Sequence, residues 1–286
     1  MFSEEWPLLM FTLLTQLAVG SYIFLVVIRS LNKLDKEASM GVTKIGMLFV
    51  GPVMGVAIIL SIFHLGTPLG AYRALLNLGS SWLSREILFA GLFFGLWLVG
   101  YILERMGKWS QVLGWINSIV GIGTVFSMAS IYGASILPAW TNVNTYLSFF
   151  GTTIVFGAIG TAFTILISKE ETTPQLNSIL KFTSLIGLLA IAFQLIYLPV
   201  YTSGLSVSGS AGYESAQLVA GSYLYPTIIR WVLTIAGVSI LMFSLFQKTQ
   251  RTAIYRLSYV AFGLVIVGEF LGRYIFYATG VPIIVG

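Results

Sequence analysis

Residues 111–168 read QVLGWINSIVGIGTVFSMASIYGASILPAWTNVNTYLSFFGTTIVFGAIGTAFTILIS, and no charged side chain stands among them. A helix that crosses the hydrocarbon core of a bilayer needs about 20 mostly apolar residues. The stretch is too long for one such span and long enough for two. Pro138, Trp140 and Asn142 mark its middle as a turn, since proline cannot continue a helix and asparagine favours turns and caps. Two uncharged spans joined back to back fix the class: an all-α integral membrane protein.

Working outward from this pair, the segments that qualify as spans are 7–28, 45–63, 86–104, 111–132, 146–168, 182–200, 226–246 and 255–277. The expected fold is a bundle of about eight transmembrane helices. The Gly- and Ser-rich stretch 202–222 reads as an outer loop that could hold a short interfacial helix. Short connections and the lack of an internal repeat make residues 1–286 one transmembrane domain. Gly51-xxx-Gly55, Gly91-xxx-Gly95 and Gly268-xxx-Gly272 put small residues at helix-contact spacing, which suits close packing within one bundle.

Composition agrees. The chain is 57% hydrophobic and 9% charged, against about 25% charged in soluble domains. So little charge cannot cover a water-facing surface, and in lipid every backbone polar group must find a partner inside the protein. The opening MFSEEW has no basic region ahead of a short apolar core, so the first apolar stretch is expected to stay as a permanent span. There is no cysteine and a single histidine, His64. The chain alone can assemble neither a cysteine-ligated cluster nor a haem held by two histidines, and the expectation is no haem and no metal.

The formal net charge of +5 does not indicate nucleic acid, because the basic residues are sorted by side. Arg29, Lys33, Lys36 and Lys44, then Arg105 and Lys108, then Lys169 and Lys181, then Lys248, Arg251 and Arg256 all fall in or beside the odd-numbered connections: 11 of the 15, every lysine included. The positive-inside rule puts those connections in the cytoplasm and both termini on the outer, periplasmic side of the cytoplasmic membrane. On this reading the inner lysines simply set topology in water.

The other half is where ionisable groups occur at membrane depth, which usually marks function. His64 ends the second apolar run, and Gly66 and Pro68 stop the helix behind it. It can be a polar cap at the interface, or a proton acceptor for a ligand, since imidazole titrates near neutral pH. Arg85 and Glu86 open the third run. Glu86 can be a first-turn carboxylate favoured by the helix dipole, or it can face His64 across an outer cleft. An imidazole and a carboxylate at one site can together take the protons of a dihydroxy substrate. Glu269 and Arg273 share a helix face and can form a buried ion pair, which Arg230 can join.

These residues also stand in a known order. Glu5-Trp6-Pro7-Leu8, His64-Leu65-Gly66-Thr67-Pro68, Ser84-Arg85-Glu86-Ile87 and Gly268-Glu269-Phe270-Leu271-Gly272-Arg273 with Phe276-Tyr277 follow one another as in a known family. In these motifs, its length and its span count, the chain resembles the membrane anchor subunit of bacterial dimethyl sulfoxide reductases. Residues 110–225 match in hydropathy only. The resemblance implies an anchor without haem that oxidises menaquinol and passes the electrons to an iron–sulfur subunit. That subunit feeds a molybdopterin catalytic subunit in anaerobic respiration. His64 and Glu86 correspond to the quinol-site histidine and glutamate, with Arg73 and Arg85 beside them. Arg230, Glu269 and Arg273 are expected to be structural or to face a partner. Arg85 departs from the family pattern, which has asparagine there in one member.

Two related readings are the anchor of a polysulfide- or tetrathionate-type reductase and an anchor whose quinone site is lost. A transporter or proton channel belongs to another class. It would place ionisable residues near the midplane, whereas here they gather toward one face.

Overall fold

The computed structural model describes residues 2–31, 34–64, 75–168, 173–246 and 251–283, and within them not the side chains of 2–5, 63–64, 75 and 251–252. Those residues form helices α1 (Phe2–Ser30), α2 (Lys36–His64), α3 (Trp82–Arg105), α4 (Gln111–Gly133), α5 (Val143–Ile167), α6 (Pro174–Ser206), α7 (Gly209–Ala220), α8 (Leu224–Phe246) and α9 (Arg251–Ala278). Among the described residues, eight helices are long and apolar enough to cross a membrane, and α7 is not one of them. The chain is a multi-pass membrane protein. An even number of crossings leaves both termini at the same face of the bundle, here called the terminal face.

Every span expected from hydropathy has its helix, and most helices run further than the apolar run. Helix α3 starts at Trp82 because Ser81 caps it, its hydroxyl accepting from the Ser84 N–H at 3.3 Å. This moves Glu86 out of the first turn and one step deeper than the sequence suggested. Thr173 caps α6 through the Leu176 N–H, with Pro174 in the first turn, where its missing N–H costs nothing.

At its other end α6 runs through Thr202 to Ser206, so the connection is shorter than 202–222, and the short helix allowed for in that stretch is there as α7. The hydroxyls there bond back to carbonyls one turn earlier, Thr202 to Leu198 and Ser206 to Thr202, and satisfy themselves within the helix. Gly209, at φ 75°, starts α7. Ala211, Ser215 and Ala216 of α7 are buried while Tyr213, Glu214 and Gln217 are exposed, the pattern of a helix lying along an interface.

Helices α1 and α5 form the axis: 72% of the most apolar stretch of each is buried, against 28% for α3 and α9. They touch backbone to backbone. A Cβ on Gly20 would run into the Thr153 carbonyl and the Gly157 backbone, so neither glycine can carry a side chain without parting the helices. Around this axis the outer helices turn large apolar residues outward, among them Ile59, Phe193, Ile196 and Val232. Such a surface is normal for a protein whose solvent is hydrocarbon.

The face opposite the termini is fastened by Arg29. Its guanidinium binds Glu104 through two bonds of 2.8 Å, donates from Nε to Thr43 at 2.6 Å and lies over the Trp109 ring. The Arg29 side chain is 1% exposed. It is therefore a joint between α1, α2 and α3, whereas Lys36 and Lys44 are exposed.

Candidate functional site

Polar side chains are buried across the whole terminal half of the bundle. Glu86 is 3% exposed on the second turn of α3. It lies within electrostatic reach of Tyr132 on α4 and Tyr277 on α9. The two phenols are 2.8 Å apart, oxygen to oxygen. Aromatic rings enclose the pair. Trp140 stacks on Phe276 and donates its indole N–H to the Phe276 carbonyl at 2.8 Å, while Phe149 packs on Tyr132. The turn at Pro138–Asn142 thus does more than reverse the chain, because it carries Trp140 onto α9.

One helical turn before Tyr277, Arg273 is 2% exposed. Its Nη2 donates to Gln16 Oε1 at 2.8 Å, and its guanidinium lies 3.7 Å from the centre of the Phe149 ring. Gln16 in turn donates to the Phe149 carbonyl at 2.8 Å. One turn earlier again, Glu269 is 1% exposed. It accepts from Thr152 at 2.6 Å and has Thr234 at 3.5 Å. Its ion pair is with Arg230 of α8, at 3.7 Å, and not with Arg273, although helical spacing puts Glu269 and Arg273 on one face. Arg273 turns away toward α1 and α5, where the Gln16 amide and the Phe149 ring receive it. Arg230 also donates to Gln194 of α6 at 3.3 Å.

Glycine makes room for this. A Cβ on Gly272 would overlap the Arg230 guanidinium, and one on Gly268 would overlap Thr234. The Gly268-xxx-Gly272 motif is therefore the seat of α8 on α9. Gly51 likewise lies beneath the Trp97 ring, whereas nothing stands within 4 Å of a Cβ on Gly91 or Gly95.

The expected site residues divide as follows. Glu86, Glu269 and Arg273 are buried in the terminal half, and Arg230 beside them is half-buried. Arg85, next to Glu86, lies over Trp82 and donates to the carbonyls of Leu78 and Gly79, so it closes the turn that leads into α3. His64 is the last residue of α2, and its side chain lies outside the described residues, as does the whole of Arg73. The convergence of His64 on Glu86 therefore also lies outside them. Gln16, Tyr132, Thr152 and Gln194 are members of the belt that sequence reasoning passed over. The signal for the amides was present: Gln16 and Gln194 are amides set in otherwise apolar runs, and intramembrane polar groups need partners.

Chemically, the belt offers a carboxylate able to take up a proton, a pair of hydrogen-bonded phenols beside it, and further on two guanidiniums with one carboxylate between them, which pairs with Arg230. Nearer mid-depth, an apolar groove of about 280 Å³ lies between α1, α2, α5 and α9, walled by Phe49, Val50 and Val53 of α2 among others.

The sequence is 30% identical over 283 residues to the anaerobic dimethyl sulfoxide reductase chain YnfH of Escherichia coli K12, covering 96% of this chain and 94% of that one. It is 30% identical to the C chain of the anaerobic dimethyl sulfoxide reductase of Haemophilus influenzae and 27% identical to the C chain of the Escherichia coli K12 enzyme, with the same coverage. Residues 2–279 match the family described as DMSO reductase anchor subunit (DmsC), and the chain belongs to that family.

Proposed function

We propose that this protein is the quinol-oxidising anchor of a dimethyl sulfoxide reductase-type complex in the cytoplasmic membrane. Both termini face the periplasm, as the sorting of its lysines requires. Menaquinol enters sideways from lipid near the outer ends of α2 and α3. Its oxidation releases two electrons and two protons. The Glu86 carboxylate accepts one proton and the His64 imidazole the other, each hydrogen-bonded to one quinol hydroxyl. Arg73 and Arg85 supply positive charge at the mouth. The electrons leave to an iron–sulfur subunit and from there to a molybdopterin catalytic subunit.

The observation that carries this reading is the burial of Glu86. A carboxylate that is 3% exposed among lipid-embedded helices is costly to keep unless a reaction uses it. The apolar groove along α2 adds support. Its wall belongs to the helix that ends at His64, and it has the chemistry to receive an isoprenoid tail.

The test is a pair of variants in the assembled complex. His64→Ala and Glu86→Gln each remove a proton acceptor and leave every span in place. Each is expected to lower quinol-dependent turnover at least about a hundredfold, the low end of the usual range for loss of a general base. Turnover with an artificial donor that feeds the catalytic subunit directly should stay normal. Normal quinol turnover in both variants would reject the site.

A further inference from the structure

Beyond the quinol site, a second cavity stands on the other side of the polar belt, bounded by α5, α6, α8 and α9 beneath α7. Its volume is about 60 Å³. Three donors on one stretch of α8 line it: the Thr227 hydroxyl, the Arg230 guanidinium and the Trp231 indole N–H. Thr227 Oγ1, Arg230 Nε and Trp231 Nε1 are buried without a hydrogen-bond partner. An unsatisfied buried donor is destabilising, and three in one cavity are more than packing accounts for.

The charge is unbalanced as well. Arg230 and Arg273 are both held inside the bundle, and Glu269 is the carboxylate in electrostatic reach of either among the described residues. Arg273 likewise leaves Nε and Nη1 unpaired. Two cations and one anion leave a surplus positive charge in a low-dielectric interior, where an unpaired charge is far costlier than at a surface. Water can satisfy donors, but it cannot cancel charge.

We infer that this cavity is a binding site for a phosphate-type oxyanion, held by Arg230, Thr227 and Trp231. Each unpaired group in it can donate, and two of them, the Arg230 Nε–H and the Trp231 indole N–H, can only donate, as an anion requires. A guanidinium flanked by a hydroxyl and an indole N–H matches the several acceptor oxygens of a phosphate. The space admits one such group. The place fits too: the cavity lies under the interfacial helix α7, near the level where a bilayer holds its own phosphates. The phosphate can belong to a lipid headgroup or be free in solution, and the chemistry of the site is the same for both.

The experiment uses the full-length protein, purified in an uncharged detergent and stripped of lipid, with the thermal unfolding midpoint as the readout. Micelles carrying phosphatidylglycerol should raise the midpoint, and micelles carrying diacylglycerol with the same acyl chains should not. A rise with inorganic phosphate as well identifies a free anion as ligand; a rise with phosphatidylglycerol alone identifies a headgroup. In either case Thr227→Val and Trp231→Phe, which leave the Arg230–Glu269 pair intact, should weaken the midpoint response at least about fivefold in ligand concentration, as loss of one bond to a charged group does. Arg230→Gln should abolish it. If neither phosphate source moves the wild-type midpoint, the cavity holds only water and the inference fails. It fails equally if the Thr227 and Trp231 variants respond as the wild type does, or if a quinone analogue gives the shift in place of the anions.

Discussion

Arg273 Nη2 donates to Gln16 Oε1 at 2.8 Å, so the last membrane span is tied to the first by one charged hydrogen bond in the interior of the bundle. Gln16 has no exposed surface, and Arg273 has almost none. Replacing Gln16 with leucine keeps the volume and removes the acceptor. A hydrogen bond to a buried charge contributes about 2 kcal/mol, and the leucine side chain offers nothing to replace it. The Gln16→Leu protein in detergent should lose about that much stability, read from reversible denaturant unfolding. Glutamate at the same position should be tolerated better than leucine, because it offers Arg273 both an acceptor and a charge.

Gly272 is the second place where one atom decides the packing. Its missing side chain is the space that the Arg230 guanidinium occupies. Gly272→Ala forces Arg230 aside, stretches an ion pair that already stands at 3.7 Å, and should destabilise by about 1–3 kcal/mol, the usual cost of overpacking. Gly91→Ala is the matched control, since nothing stands within 4 Å of its Cβ. A Gly272→Ala protein as stable as the Gly91→Ala protein would mean that Arg230 does not lie across α9.

Topology can be read directly. On the proposed orientation, which rests on the lysine distribution, Lys36 is in the cytoplasm and Gly286 in the periplasm. A reporter active only in the periplasm should be silent when fused at Lys36 and active at Gly286, and a cytoplasmic reporter should give the reverse. The same side for both fusions would contradict an even number of spans with a start outside.

Much of this architecture was legible because hydropathy acts over long windows. The uncharged stretch 111–168 and its proline-marked turn predicted α4 and α5 as they stand. Helix ends were less legible, because local bonds set them: the Ser81 cap lengthened α3, and hydroxyls bonded to their own helix carried α6 on to Ser206. For the candidate site, sequence located the charged members of the belt, since charge at membrane depth is conspicuous. It did not reveal who pairs with whom. Glu269 and Arg273 share a face by spacing, yet Glu269 pairs with Arg230, and Arg273 reaches α1. Helical periodicity cannot anticipate such choices, which depend on which helices become neighbours. Arg29 is a case of the same kind: sequence counts it among the basic residues of one side, and only the fold puts Glu104 opposite it.

Energy coupling gives the last prediction. On the proposed reading, the groups that accept the quinol protons and the subunits that accept its electrons both lie on the periplasmic side. Protons and electrons then leave at the same face, no net charge crosses the bilayer, and quinol oxidation generates no membrane potential. A pumping mechanism would need ionisable groups continuing to the other face. The spans break that path. Along α9 no acidic or basic residue lies between Arg256 and Glu269, a gap of about 20 Å at the helical rise. Along α3 none lies between Glu86 and Glu104, about 27 Å by the same measure. Helices α4 and α5 carry none at all. Complex reconstituted in sealed vesicles and supplied with quinol and a terminal oxidant should turn over without changing the signal of a voltage-sensitive dye. Its rate should not rise when an uncoupler is added. A dye response that the uncoupler abolishes would overturn the electroneutral reading and would require a proton path through the uncharged middle of the bundle.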